Sequence, residues 1–338
     1  MENLEKTVIS TRIRLARNLS GYPFPHRLNA KTAKEIVGLL RLPLSSMEEY
    51  SLYFADALSD EQLLAFKENY FISQAFIDHK AISAVYINRD RTVSVMVNEE
   101  DHIREQYYMR GYCPLPRAYD YLRGIDETIG DCVKFAFDKR LGFLTACPTN
   151  LGTGLRASVM LFLPELSKRS ERFRAVCGEI ARMGMTVRGV YGEGSRAEGS
   201  MFQVSNEVTL GLEESEILRQ VSDVVRNLTE TEITLQRERI QKDRVGLEDE
   251  CFRAYALLTH CRKLDAEEFA RLMSTVKLGV STGVFAADGM GVLDEFIIQM
   301  RNSNLDRAFK ETLSGETRAI RRAELVRERL PALVRCEE

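Results

Sequence analysis

Gly152-Thr153-Gly154-Leu155-Arg156-Ala157-Ser158-Val159-Met160-Leu161-Phe162-Leu163-Pro164 is the stretch on which the fold turns. Its first six residues match the dinucleotide fingerprint G-x-G-x-x-G/A, which works only when a helix follows and presents its N-terminus to a pyrophosphate. Here Ala157 to Leu163 is a β-like run closed by Pro164, so a dinucleotide-binding α/β fold is set aside. A second glycine pattern, Gly194 to Gly199, has the spacing of a phosphate loop, but Ser200 stands where the lysine belongs.

Outward from that run, short β-rich segments alternate with helices. Ile82 to Ile87 and Thr92 to Val97, joined by the polar Asn88-Arg89-Asp90-Arg91, read as a hairpin, which implies antiparallel pairing. Further strand-like runs are Phe143 to Cys147, Met185 to Tyr191 and Phe202 to Leu210. Helices are expected over Ala30 to Leu40, Ser59 to Tyr70 with Ser59 as N-cap, Ala118 to Lys139 and Glu165 to Met183. From about Glu213 helix formers and mixed charges take over, and strand-like runs stop. The expectation is an α+β protein, with an antiparallel β-sheet flanked by helices over residues 1–234 and an all-α domain over residues 235–338. Gly279, Gly283, Gly289 and Gly291 mark a loop between the halves of that second domain.

The 338 residues are 44% hydrophobic and 29% charged, enough to bury a core without staples. A net charge of -3 excludes attachment to nucleic acid or anionic lipid by bulk charge, so any anion site must be local. Seven cysteines without a Cys-x-x-Cys pair, beside four histidines, argue against a zinc site or disulfide framework and for reduced thiols. Glu2 and Glu5 stand where a signal peptide would be basic, and the best apolar run, Val159 to Leu163, is far short of a membrane span. A soluble, cytoplasmic protein is expected.

Arginine is the informative residue. Ser10-Thr11-Arg12-Ile13-Arg14 places two guanidinium groups on one face of an extended segment. Arg104 follows the second hairpin strand in Asn98-Glu99-Glu100-Asp101-His102-Ile103-Arg104, and Arg156 and Arg188 each sit beside a strand-like run. Taken singly, each reads as a solvated or ion-paired surface arginine. As a group they are better explained by a polyanion, because guanidinium forks match phosphate oxygens bidentately and never deprotonate. Carboxylates accompany them: Glu99 and Glu100 after a strand, and Glu193 in Arg188-Gly189-Val190-Tyr191-Gly192-Glu193. Cys147, ahead of Pro148-Thr149-Asn150-Leu151-Gly152, reads either as a core thiol or, near arginines, as a thiolate.

These blocks, in this order, resemble the phosphagen (guanidino) kinase family and, over nearly the full length, its bacterial protein-arginine-kinase branch of the McsB type. The specific elements are Ser10 to Arg14 running on into Leu15-Ala16-Arg17-Asn18, Asn98 to Arg104, the cysteine-centred Cys147 to Ser158, and Arg188 to Glu193 followed by Gly194-Ser195. The resemblance implies transfer of the γ-phosphoryl group of ATP to arginine residues in proteins, marking them for stress response or Clp-dependent degradation. ATP would be held by Ser10, Thr11, Arg12, Ile13, Arg14, Arg104, Arg156, Ala157, Ser158, Val159 and Met160, and by Arg188, Gly189, Val190, Tyr191, Gly192 and Glu193. Mg2+ would be carried by the nucleotide and not by a protein metal site. Tyr70 occupies the place where the family often has a histidine near the adenine, and would stack there instead. Glu100 and Glu193 would contact the acceptor as base and orienter, in either order, with Cys147 beside it. A guanidinium, whose pKa exceeds about 12, needs such a carboxylate to lose its proton.

Only nine residues precede Ser10, where kinases of small guanidino compounds carry a helical domain with an enclosing loop, so an open site and a protein acceptor are expected. The C-terminal part, including Leu247-Glu248-Asp249 and Val276-Lys277-Leu278-Gly279, resembles the extension of the protein kinases. There the motif Arg-Asp-x-x-Arg-Ala reads phosphoarginine. Here Arg318-Ala319-Ile320-Arg321-Arg322-Ala323 keeps both arginines and loses the aspartate, so only weak phosphoarginine binding by Arg318 and Arg322 is expected. The resemblance further implies a homodimer and, as partners, a zinc-binding activator, a stress-response repressor and the Clp protease. A phosphoarginine-binding adaptor without catalysis, and a kinase of free guanidino compounds, are the alternatives.

Overall fold

The computed structural model describes residues 2–189 and 198–336. Eight strands form one antiparallel sheet: β1 (Val8–Arg17), β2 (Tyr50–Phe54), β3 (Ala84–Asn88), β4 (Val93–Val97), β5 (Ile103–Arg110), β6 (Leu155–Phe162), β7 (Met185–Gly189) and β8 (Met201–Asn206). They run in the order β2-β3-β4-β5-β1-β6-β8-β7. The expected hairpin is β3 with β4, and the proline-closed run is the strand β6, paired with β1 and β8. The glycines ahead of β6 permit close packing. A Cβ on Gly154 would lie 2.5 Å from the Arg17 guanidinium and 2.6 Å from the Ala16 carbonyl, and one on Gly152 would lie 2.6 Å from the Thr209 carbonyl.

Several elements differ from expectation. Phe143 to Cys147 is strand only at its start, in the two-residue Gly142–Phe143, because the following backbone binds a neighbouring turn. The helix expected from Ala118 spans Leu115–Cys132, and that expected from Glu165 is broken at Arg169 into Pro164–Lys168 and Ser170–Arg182. Glu232, on another helix, accepts from the Glu165 and Leu166 N–H groups and caps the first piece from outside. The helix Glu214–Lys242 runs unbroken through residue 235. Five further helices follow, Arg244–His260, Ala266–Thr282, Met290–Gln299, Asn302–Phe309 and Gly315–Leu333. Gly283, at φ 80, caps the second of these and Gly289 precedes the third, while Gly279 and Gly291 lie inside helices. A two-residue pairing of Phe285–Ala286 with Arg335–Cys336 interrupts the helical pattern. No described helix is long and apolar enough to cross a membrane.

Strand alternation sorts the side chains between the two faces of the sheet. One face, with Ile13, Leu15, Val95, Ile103, Ala157 and Val204, packs on helices Ala30–Leu39, Leu115–Cys132 and Glu214–Lys242. The other face is divided. At one end Val85, Ile87 and Met96 pack with helix Asp60–Glu68, whose N-cap Ser59 closes a capping box with Gln62. At the other end Phe162 and Met201 pack on the C-terminal helices. A buried ion pair, Lys277 with Asp294, reinforces that second contact, with Lys277 Nζ 4.5 Å from the centre of the Phe162 ring. Between the two apolar patches, on β5, β1 and β6, polar side chains predominate on this face, with Met160 at the margin of the second patch.

The turn between β4 and β5 is knotted to two other segments. Asp101 accepts from Asn18 Nδ2 (2.5 Å) and from the Ala146 N–H (2.6 Å), while Asn18 Nδ2 also donates to the Leu144 carbonyl (3.0 Å). Burial pushes Asp101 up to about 6, against the pull of its donors. Glu100 and Cys147 each sit one residue from this knot, on adjacent turns.

Two predictions follow from these buried charges. Asp294→Asn strands the Lys277 ammonium and should cost about 3–5 kcal/mol in urea unfolding, whereas Lys277→Met/Asp294→Leu should recover most of that loss. For Asp101 the folded pKa lies above the unfolded one, so its contribution to stability is present below about pH 4 and is lost as pH rises through about 6. Asp101→Asn should therefore flatten the fall in urea midpoint over that window, and a slope equal to wild type would refute it.

Candidate active site

The register of the strands sets the arginines side by side. On β1, Arg12 and Arg14 alternate with Thr11 and Ile13. Arg14 lies opposite Gln106 of β5 and Arg156 of β6, and Arg12 lies opposite Tyr108 and Ser158. Directly paired residues share a face, so these side chains rise together. Arg104 stands two residues from Gln106 on β5, and Arg188 of β7 lies opposite Gln203 of β8, itself opposite Met160. All five arginines occupy the face whose middle is free of apolar packing.

Among the described residues, the partners of Arg12 and Arg156 are uncharged. Arg12 donates to Ser158 Oγ (3.4 Å) and Gln203 Oε1 (3.1 Å), and Arg156 donates to Ser205 Oγ (3.3 Å). The Nε atoms of Arg14 and Arg156 are buried without a hydrogen-bond partner among the described residues. Burial, with the charges of Arg104 and Arg156, pulls Arg12 down to about 10. Burial holds Arg14 well below its ordinary value, helped by Arg12, Arg104 and Arg156, and it lowers Arg156, helped by Arg188 and Arg104. These cations crowd one another in a partly dry site. Arg104 is the exception. Burial works to lower it, but Glu99, with oxygens 2.6 and 2.7 Å away, raises it instead. Arg188 donates to Glu207 Oε1 at 3.0 Å.

Acids and thiol cluster at one side. Glu99 is fully buried and committed to Arg104 and Ser73, while Glu100 is half-buried with its N–H donated to Glu99 Oε2 (3.2 Å). Of the two neighbours, Glu100 is the one available to an incoming group. Cys147 Sγ lies 3.0 Å from Thr149 Oγ1, and its segment is held by Thr209 Oγ1, which donates to the carbonyls of Thr149 (2.9 Å) and Leu151 (2.7 Å). A Cys147 thiolate would support the charge of Arg156. Tyr70, at φ 64, stacks on Tyr108 with centroids 4.9 Å apart, so one of its ring faces is already taken.

Other residues singled out in the sequence fall elsewhere. The side chains of Thr11, Ile13, Ala157 and Val159 point to the helix-covered side, as strand alternation requires, so they hold the strands while Ser10, Ser158 and Met160 face the arginines. Gly189 ends β7 opposite Phe202. Val190, Tyr191, Gly192 and Glu193 lie outside the described residues. In the C-terminal domain, Arg318 grips Asp306 with two hydrogen bonds (3.0 and 2.7 Å). The buried Arg322 donates to the Met300 carbonyl (3.0 Å), the Leu264 carbonyl (2.9 Å) and Asn302 Oδ1 (2.7 Å). Sequence reasoning missed Gln106 and Tyr108, which reading 103–110 as a strand would have placed beside Arg14 and Arg12, and Gln203, which needed the β6–β8 register.

Residues 32–235 match the family model of the ATP:guanido phosphotransferase C-terminal catalytic domain, and residues 244–338 match that of the protein-arginine kinase McsB C-terminal domain. The chain is 40% identical to a protein-arginine kinase of Clostridium tetani, over 96% of this chain and 95% of that one. It is 38% identical to that of Clostridium kluyveri, over 96% and 94%. Among solved structures, a lombricine kinase superposes with a TM-score of 0.60 at 26% identity, covering 69% of this chain and 68% of the other. With both of its parts matched in this order and nearly its whole length shared with these relatives, the chain belongs to the ATP:guanido phosphotransferase family.

Proposed function

We propose that this protein transfers the γ-phosphoryl group of Mg-ATP to the guanidinium of arginine residues in proteins. One observation carries the reading: half-buried guanidinium groups stand side by side on one sheet face, and two of their Nε atoms find no hydrogen-bond partner among the described residues. A triphosphate meets that need with oxygens for each fork and with opposite charge, and its Mg2+ arrives with it. Arg12, Arg14, Arg104, Arg156 and Arg188 would bind the phosphates and stabilise the charge on the moving group. Glu100, or Glu193 beyond the described residues, would take the proton as the N–P bond forms and the bond to the ADP oxygen breaks. Cys147 would support the charge of the acceptor before transfer.

The acceptor follows from the relatives, which are protein-arginine kinases with the same C-terminal domain. On the same reading the modified proteins are marked for stress response or Clp-dependent degradation, and the chain acts in the cytoplasm as a homodimer. A zinc-binding activator and a stress-response repressor would be its partners, and Arg318 with Arg322 its weak phosphoarginine site.

Mass spectrometry of an arginine-rich acceptor protein incubated with the enzyme and Mg-ATP, beside free arginine, should detect phosphoarginine in the protein. Phosphorylation of free arginine alone would overturn the choice of acceptor. Arg156→Met tests the arginine face in two directions at once. It should weaken ATP binding by about 10-fold or more, the worth of charged hydrogen bonds, while raising the melting temperature of the nucleotide-free protein by relieving repulsion. Calorimetry and thermal melts read both effects.

A further inference from the structure

We propose that the C-terminal domain completes the nucleotide end of the site through Arg301, a positioning residue that fixes the Tyr70–Tyr108 stack beside Arg12. Arg301 opens helix Asn302–Phe309 and reaches across to the catalytic domain. Its Nη1 donates to the Glu68 carbonyl (2.9 Å) and its Nη2 to the Tyr70 hydroxyl (2.9 Å), with the guanidinium carbon 5.2 Å from the Tyr70 ring centre. Tyr70 is thereby held from several directions. Its carbonyl accepts from Gln106 Nε2, its ring lies on Tyr108, and its backbone keeps the left-handed φ of 64. Such a conformation is strained for a non-glycine residue and persists only where surrounding contacts over-determine it.

The contacts converge on the phosphate arginines. Gln106 and Tyr108 are the β5 residues directly opposite Arg14 and Arg12. A shift of Tyr70 therefore disturbs the two residues paired across the strands with both β1 arginines. On the other side, Arg301 is itself held in place. Arg322 donates to the Met300 carbonyl and to Asn302 Oδ1, the residues immediately before and after it, and the Arg318 fork pins Asp306 one turn further on. Asn69 Nδ2, donating to Asn304 Oδ1 (3.1 Å), and Glu68 Oε1, accepting from the Ser303 N–H (3.3 Å), press the same helix against the segment that carries Tyr70. Arg318 and Arg322 thus hold the brace in this structure, whatever else they bind.

The inference rests on reading Arg12 as a phosphate ligand, and its test separates the two. Mg-ATP is titrated calorimetrically into wild type, Arg301→Ala, Arg301→Lys, Tyr70→Phe, Arg301→Ala/Tyr70→Phe and Arg12→Ala, with the acceptor KM and melting temperature measured on each. Arg301→Ala and Tyr70→Phe should each raise the ATP Kd on the order of 10-fold, the scale of one charged hydrogen bond, and leave the acceptor KM unchanged. Arg301→Lys should recover part of the loss, because an ammonium reaches one of the two oxygens but not both. The double variant should bind no worse than the weaker single one, since both changes break the same link. Should Arg301→Ala fail to fold, Tyr70→Phe decides, because it removes only the hydroxyl. An unchanged ATP Kd in Tyr70→Phe and any folded Arg301 variant, with Arg12→Ala weakened, overturns the brace even if melting temperatures fall. An unchanged Kd in Arg12→Ala overturns the underlying phosphate reading instead.

Discussion

Guanidinium groups crowded on one face of a sheet repel each other and resist leaving water, and the rest of this molecule is arranged around that cost. Two unit charges about 6 Å apart oppose each other by roughly 3 kcal/mol at an effective dielectric of 20. Arg12, Arg14 and Arg156 are set on paired strands, where the backbone ladder leaves them no room to separate. Compensation comes from the faces they do not use. Helices bury the opposite side of β1, β5 and β6, and apolar clusters close both ends of the arginine side. Among the described residues, the buried carboxylate on this face is Glu99, and it goes to Arg104. The site is thus strained towards binding an anion before any anion arrives.

Strands carry the cations, and turns carry the groups proposed to meet the acceptor. That division suits the two tasks. Phosphate recognition needs several groups at fixed spacing, which a paired sheet supplies, whereas Glu100 and Cys147, in the roles proposed for them, would meet a group on another molecule and sit on surface turns. Turns alone would place them loosely. The Asn18–Asp101–Ala146 knot removes that freedom by joining the end of β1, the β4–β5 turn and the Cys147 segment at one buried carboxylate.

Much of this was legible in the sequence, for reasons that differ from element to element. The run after Gly154 announced a strand because Pro164 closed it, and β3 and β4 announced a hairpin because apolar and β-branched runs flanked a polar turn. Arg12 and Arg14 declared a shared face through spacing alone. β5 was hidden, since Arg104, Glu105 and Gln106 break the apolar pattern of a strand for the sake of what they face. The short helix before Arg169 was hidden as well, because the group that caps its start, Glu232, lies 67 residues from Glu165. Partnerships between distant segments, such as Arg301 with Tyr70 or Asp101 with Ala146, leave no local trace, because spacing reports only on neighbours along one element. The family blocks suggested roles on which spacing is silent, including those proposed for Glu100 and Cys147.

The long helix Glu214–Lys242 has a bearing on how the molecule comes apart. Its early turns, with Ile217, Val221 and Val224, are built into the core beneath the sheet, and Ile240 near its end packs against the C-terminal core. Between them no residue breaks the helical ladder, so neither core can open fully without fraying a rod that the other core still grips. Two hydrophobic cores joined by a rigid shaft behave as one cooperative unit and not as two beads on a string. Amide protons along its middle turns then exchange only through global opening, and the boundary between domains, so plain in composition, disappears in the energetics of unfolding.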